Sequence, residues 1–262
     1  LPAFNPPEKN AVVGRVVSPS GRGIEGATVT VADAAPATTN YDGFYFVADV
    51  GDAQGRTVRF AAPGFVPATR VATTFQDGRS TVNAVLSPRA AALPLDAGAS
   101  GKAVFGQGTV VIPTDGVVDS SGKAPAGPVS LRVTPIPIRG PGVAAVPGDF
   151  AATTAGGQDA RLETFAMADY QLADADGNVL AVKDGAKATI EMLLPADTTL
   201  KAGDSVPAWH FDQDKGRWIE EGTGTVVAYS QDASRLAFVA DVGHFSTWNC
   251  DKTMETTCVS GT

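Results

Sequence analysis

Thr38-Thr39-Asn40-Tyr41-Asp42-Gly43-Phe44-Tyr45-Phe46-Val47 is the stretch that decides the fold. Asp42-Gly43 supplies the positive φ angles of a tight turn, and the β-branched and aromatic residues on either side suit strands, so a hairpin is expected here. Working outward, Val12 to Val17 reads as a strand, Pro19 to Gly23 as a turn, and Ala27 to Val31 as a strand with alternating apolar and polar faces. Thr57 to Ala61 is a further strand, Pro63-Gly64 a turn, and Val82 to Leu86 closes the unit. No long segment repeats with the 3.6-residue period of a helix. The expected class is all-β, as two β-sandwich domains.

Composition agrees with that class and excludes others. Of 262 residues, 44% are apolar but only 7% aromatic, which is enough for two medium cores built largely from Ala, Val and Thr. A net charge of -8 without a basic stripe argues against nucleic acid, whose phosphates are bound chiefly through Lys and Arg. No apolar run is long enough to span a bilayer, and the residues after Leu1 lack the charged and apolar regions of a signal peptide. Cys250 and Cys258 are spaced so that a disulfide could close a small loop in an oxidising compartment, with two unpaired thiols as the alternative. Two cysteines cannot make a structural zinc site, and His210 and His244 stand far from them in sequence. No cofactor and no metal is expected.

Several segments of the first half, Gly14-Arg15-Val16, Gly26-Ala27-Thr28-Val29, Thr39 to Phe46 and Ala62-Pro63-Gly64-Phe65, together resemble the carboxypeptidase regulatory-like module, a prealbumin-like β-sandwich. The resemblance covers residues 11–88. It implies a spacer or docking element without catalytic residues of its own. Residues 1–10, with three prolines, read as a linker, and the Ala- and Gly-rich residues 89–101 read as a second one.

Beyond residue 101 strands are expected at Val104 to Pro113 around a Gly bend, Gly127 to Pro135, Arg161 to Leu172, and Ala188 to Leu194. They continue at Ser205 to Phe211, Gly216 to Glu221, Thr225 to Tyr229 and Leu236 to Ala240. The acidic segments Asp174 to Asn178 and Asp212 to Gly216 offer hard oxygens, but neither has the later bidentate Glu of a calcium loop, so both read as hairpin turns. Gly108 to Pro113 with Gly127 to Leu131 is similar to the opening of a ZU5 domain. Trp209-His210-Phe211-Asp212, Gly216 to Gly222 and His244-Phe245-Ser246-Thr247-Trp248-Asn249-Cys250 resemble the end of ZU5-like extracellular domains, such as that of cartilage intermediate layer protein, and of the self-cleaving GAIN domain. This second resemblance covers residues 102–250, leaving 251–262 as a tail or the start of a following module.

The ZU5 and GAIN resemblance implies candidate catalytic residues His244, Phe245 and Ser246. His244 would take the Ser246 hydroxyl proton, the hydroxyl oxygen would attack the Phe245 carbonyl carbon, and the resulting ester would be hydrolysed. A positioned base supplies about 10²- to 10⁴-fold, too little for an amide. Backbone strain, for which Gly243 offers freedom, and an oxyanion donor on the Phe245 carbonyl must therefore contribute. At most this is single-turnover autoproteolysis. The other expectation is an intact adhesion or spacer module that binds a protein or glycan through its loops and contacts neighbouring modules of its own chain, in an extracellular, cell-surface or periplasmic setting. Trp209, Trp218 and Trp248 read as core rather than as a sugar platform. Glu220 and Glu221 must point to opposite strand faces, so they cannot act as a hydrolase pair.

Overall fold

The computed structural model describes residues 9–95 and 101–254. They are almost entirely β. The first domain contains β1 (Ala11–Val17), β2 (Thr28–Val31), β3 (Ala37–Thr38), β4 (Phe44–Ala48), β5 (Ala53–Ala61), β6 (Ala68–Thr74), β7 (Arg79–Thr81) and β8 (Ala84–Val85). One sheet has the order β4-β1-β7, with β8 also on β1, and the other β3-β2-β5-β6. Alternate residues of each strand, such as Val12, Val29, Val31, Val58 and Phe60, meet in one core because successive side chains of a strand point to opposite faces.

The Asp42-Gly43 turn forms, but not as a hairpin. Gly43 has φ +82°, and its N–H donates to the Asn40 carbonyl at 2.9 Å. The strands flanking the turn then part: β3 pairs with β2 in one sheet and β4 with β1 in the other. The turn chemistry was local and correct; the partner of each strand was set by which sheet could bury its apolar face.

The second domain contains β9 (Leu93–Leu95), β10 (Gly101–Phe105), β11 (Gly108–Ile112), β12 (Val117–Val118), β13 (Val129–Pro135), β14 (Ala151–Thr153), β15 (Asp159–Ala173) and β16 (Val179–Val182). It continues with β17 (Ala188–Leu193), β18 (Ser205–Asp212), β19 (Arg217–Tyr229), β20 (Asp232–Val242) and β21 (Thr247–Thr253). Their main order is β10-β11-β17-β20-β19-β18-β21-β15-β13-β9, a single ladder that folds over its own apolar face until the end strands β9 and β10 approach each other. Leu93–Leu95, expected within a linker, is therefore an edge strand paired with β13. Likewise β21 runs on to Thr253, three residues into the expected tail.

The sheet has apolar residues on both faces near β18 and β19. One face carries Val206, Ala208, Trp248 and Cys250 into the main core. The other carries Trp209, Phe211 and Trp218 into a second core that includes Val66 of the first domain. Polar contacts fasten the same junction: the Thr69 N–H donates to the Pro147 carbonyl at 2.6 Å, its hydroxyl to the Gln213 carbonyl at 2.9 Å, and Arg59 pairs with Asp214 at 3.0 Å. Arg89, leaving the first domain, reaches the buried carboxylate of Asp169, which also accepts from the Thr247 hydroxyl at 3.0 Å.

Cys250 is a free thiol, fully buried in the main core because its position on β21 faces inward. Its side chain is thus core packing rather than half of a surface loop. Cys258, the other half of the expected disulfide, lies outside the described residues.

Next to Cys250, the fully buried Asp251 accepts hydrogen bonds from the Asn249 amide at 2.5 Å and the Thr164 hydroxyl at 3.2 Å, with the Phe165 backbone N–H also directed at the carboxyl group. Burial raises its pKa well above the usual carboxylate range, and those hydrogen bonds only partly oppose the shift. The folded state therefore holds a proton that the unfolded chain releases. The associated stability is complete below the unfolded pKa of about 3.9 and is lost as pH rises toward the folded value. Asp251→Asn is expected to raise the thermal midpoint relative to wild type at pH 7.5, with the gap closing by pH 3.5, as read by thermal unfolding at both pH values.

Candidate functional site

Three strands and one connection assemble the site. β18 lies between β19 and β21, with His210 opposite Ile219 on one side and opposite Trp248 on the other. Between the Pro207–Thr223 and Trp209–Glu220 pairs, the single residue Ala208 faces two residues, Glu221 and Gly222. This is a β-bulge, which bends the strand and re-aims side chains. Gly222 has φ +84°, a backbone angle that favours glycine. Glu220 turns to one side, where its Oε2 accepts from the Ala155 N–H at 2.9 Å. Glu221 turns to the other, toward the histidines. The opposite-face reading of this pair holds.

The chain leaves β20 at Val242 and enters β21 at Thr247, although β19 and β18 lie between those two strands in the sheet. Residues 243–246 must therefore cross over both. This places His244 against Glu221 of β19 and His210 of β18. The Nε2 atoms of His244 and His210 lie 3.1 and 3.3 Å from the same carboxylate oxygen, Oε2 of Glu221. The two imidazoles meet edge to face with centroids 4.7 Å apart. Below them is the fully buried Trp248, whose ring centroid is 5.2 Å from His244 and 5.6 Å from His210. Its indole N–H donates to the His244 carbonyl at 3.1 Å, which pins the crossing segment.

The His210 side chain is 17% exposed, while those of His244 and Glu221 are 40% and 47% exposed. Burial, and after it the neighbouring His244, lowers the His210 pKa below the usual imidazole range. The cluster thus presents a carboxylate and two imidazoles at the rim of an apolar core. Those donor types suit a metal ion or a hydrogen-bonding ligand.

The predicted triad is only partly brought together. The His244 ring is engaged by Glu221, and the Ser246 hydroxyl donates instead to the Thr247 carbonyl at 3.5 Å. Among the described residues no hydrogen bond joins the His244 ring to Ser246. Phe245 stacks on the buried Tyr170 with centroids 5.7 Å apart, and the Ser246 carbonyl accepts from the Tyr170 N–H at 2.9 Å. Gly243 does not adopt a positive φ, and there are no cis peptide bonds among the described residues. The conformational freedom that the sequence offered at Gly243 is not used for left-handed backbone. Trp209, Trp218 and Trp248 are all fully buried, so none forms a platform.

Sequence reasoning missed Glu221 as the partner of both histidines. The Asp212 to Gly216 hairpin held half of the signal, because its register places Glu221 diagonally beside His210. The approach of His244 depends on the crossing over β19 and β18, which has no local signature.

Family models match two parts of the chain. Residues 11–87 match the carboxypeptidase regulatory-like domain, and residues 143–248 match the FAM171A1/A2/B, N-terminal, domain. Residues 11–87 are thus similar to a carboxypeptidase regulatory-like domain, and the second all-β domain contains a region similar to the FAM171 N-terminal domain. That region includes His210, Glu221, His244 and Trp248. No curated protein matches the chain. A crystal structure of a protein of unknown function from Bacteroides fragilis NCTC 9343, described as membrane-associated, is similar at 10% identity with a TM-score of 0.25, over 94% of this chain and 99% of that one. No helix among the described residues is long and apolar enough to cross a membrane.

Trp248 connects the crossing segment to both the core and the histidines. Trp248→Phe removes the indole N–H that holds the His244 carbonyl and leaves a void in the main core. A loss of about 2 kcal/mol is expected, read as a lower denaturant midpoint at unchanged slope.

Proposed function

We propose that this chain is an extracellular or cell-surface module of a multidomain protein, working as an intact adhesion or spacer unit that meets a protein or glycan partner through its loops. The observation that carries this reading is the engagement of His244 by Glu221, which leaves the Ser246 hydroxyl without a base. The shared second core and the Arg89–Asp169 contact add to it, because a spacer transmits geometry only if its domains are fastened together. The resemblance of residues 102–250 to ZU5-like extracellular domains supports the exported setting.

The competing reading is an N-to-O acyl shift at Phe245–Ser246. It requires the His244 ring to leave Glu221 and turn toward Ser246. It also requires an oxyanion donor on the Phe245 carbonyl.

Intact-mass measurement of the purified chain, beside Ser246→Ala and His244→Ala, separates the two. A single full-length species is expected for all three proteins, before and after prolonged incubation. A wild-type fragment beginning at Ser246 that is absent from both variants would overturn the intact-module reading and establish self-cleavage.

A further inference from the structure

We propose that His210, Glu221 and His244 form a binding site for one divalent transition-metal ion of the zinc class. Each residue offers one ligand atom, an imidazole nitrogen of each histidine and a carboxylate oxygen of Glu221, and these three atoms all lie within 4.8 Å of one another. Two ligands held about 2.0–2.1 Å from a tetrahedral zinc ion stand about 3.3 Å apart. The observed His210–Glu221 and His244–Glu221 separations are 3.3 and 3.1 Å. Both imidazoles bring Nε2 to the same carboxylate oxygen, and their ring planes stand 86° apart rather than stacked in parallel.

Donor chemistry selects the ion. Two imidazoles with one carboxylate favour zinc, copper or nickel over calcium and magnesium, which prefer all-oxygen sets. Three protein ligands leave a tetrahedral ion with one open position, and the exposed flank formed by Glu221 and His244 is where water or a ligand from a partner would enter. With neutral imidazoles, the ion and one carboxylate give the site a single net positive charge, which suits an anionic incoming ligand.

The supporting contacts are already in place. β18 and β19 hold His210 and Glu221 through their ladder, the bulge aims Glu221, and Trp248 packs beneath both rings while fixing the His244 carbonyl. Binding would therefore cost little reorganisation. It would also tie the crossing segment 243–246 to β18 and β19.

The test is titration of Zn(II) into tag-free, chelator-treated protein by calorimetry, with Co(II) absorption as a second readout. One ion per chain, micromolar or tighter, and a raised thermal midpoint with Zn(II) are expected. Losing an outer-shell partner already weakens metal sites about 10- to 100-fold, so Glu221→Gln and His210→Ala should each weaken binding by at least that factor. Glu220→Gln on the opposite face and Cys258→Ser should bind as wild type. Glu221→Gln keeps the side-chain shape, so it decides the matter if His210→Ala does not fold.

Intense Co(II) d–d bands of a low-coordinate site should appear in wild type and be absent from Glu221→Gln. Wild-type protein that binds no Zn(II) at millimolar concentration, or binding unchanged in Glu221→Gln, would overturn the proposal. The experiment is independent of the intact-module reading, because cleavage is read by mass and metal binding by titration.

Discussion

The insertion of β21 between β18 and β15 is the constraint on which the rest of the second domain depends. β21 satisfies its backbone groups on both sides, pairing Ala208 with Cys250 and His210 with Trp248 toward β18, and Met167 with Asn249 and Ala168 with Trp248 toward β15. Residues Thr247 to Asp251 are all buried. Unpaired backbone groups at that depth would cost as much as lost hydrogen bonds, so the strand either occupies this slot completely or the sheet fails to close. Truncating a buried aromatic to Ala costs about 3–5 kcal/mol, a large share of the net stability of a domain. Trp248, on the same strand, couples that packing term to the ladder.

The slot also explains the polar groups within the core. Thr247, Asn249 and Asp251 alternate with Trp248 and Cys250, and their side chains find partners on β15: Thr247 with Asp169, and both Asn249 and Asp251 with Thr164. A strand apolar on one face and polar on the other would ordinarily sit at the surface. Here the polar face is covered as well, and it is satisfied largely by neighbouring strands. Arg89 completes this arrangement from the first domain, so the domain junction and the last strand share the Asp169 carboxylate. The two cores on opposite faces of β18 and β19 have the same consequence: the junction with the first domain is an extension of the sheet's own packing.

Much of this was legible in the residues. The all-β class followed from period-two alternation and frequent turn signals. The Asp174 to Asn178 and Asp212 to Gly216 turns do join paired strands, because an Asp side chain capping the following backbone N–H groups is a local interaction. The three tryptophans were readable as core from their strand settings. The Asp42-Gly43 turn was legible too, but the pairing of its flanking strands was not. Turn chemistry fixes a few backbone angles, whereas strand partners are chosen by the burial of faces tens of residues apart. For the same reason Leu93–Leu95 looked like linker: three residues carry too little periodicity to announce an edge strand.

The candidate site divides along the same line. By itself the sequence determined that His244, Ser246 and Trp248 sit together at the start of the last strand, and that Glu220 and Glu221 face opposite ways, since both statements concern neighbours along one chain segment. Only the tertiary structure decided what His244 touches. The crossing from β20 to β21 over two intervening strands delivers its ring to Glu221 and His210, and the bulge opposite Ala208 aims the carboxylate to meet it. A hydrogen-bonded ladder specifies register between adjacent strands, but the order of strands in a sheet is a property of the whole core. The tripeptide therefore proposed a base for Ser246, and the sheet order gave that imidazole to a carboxylate instead.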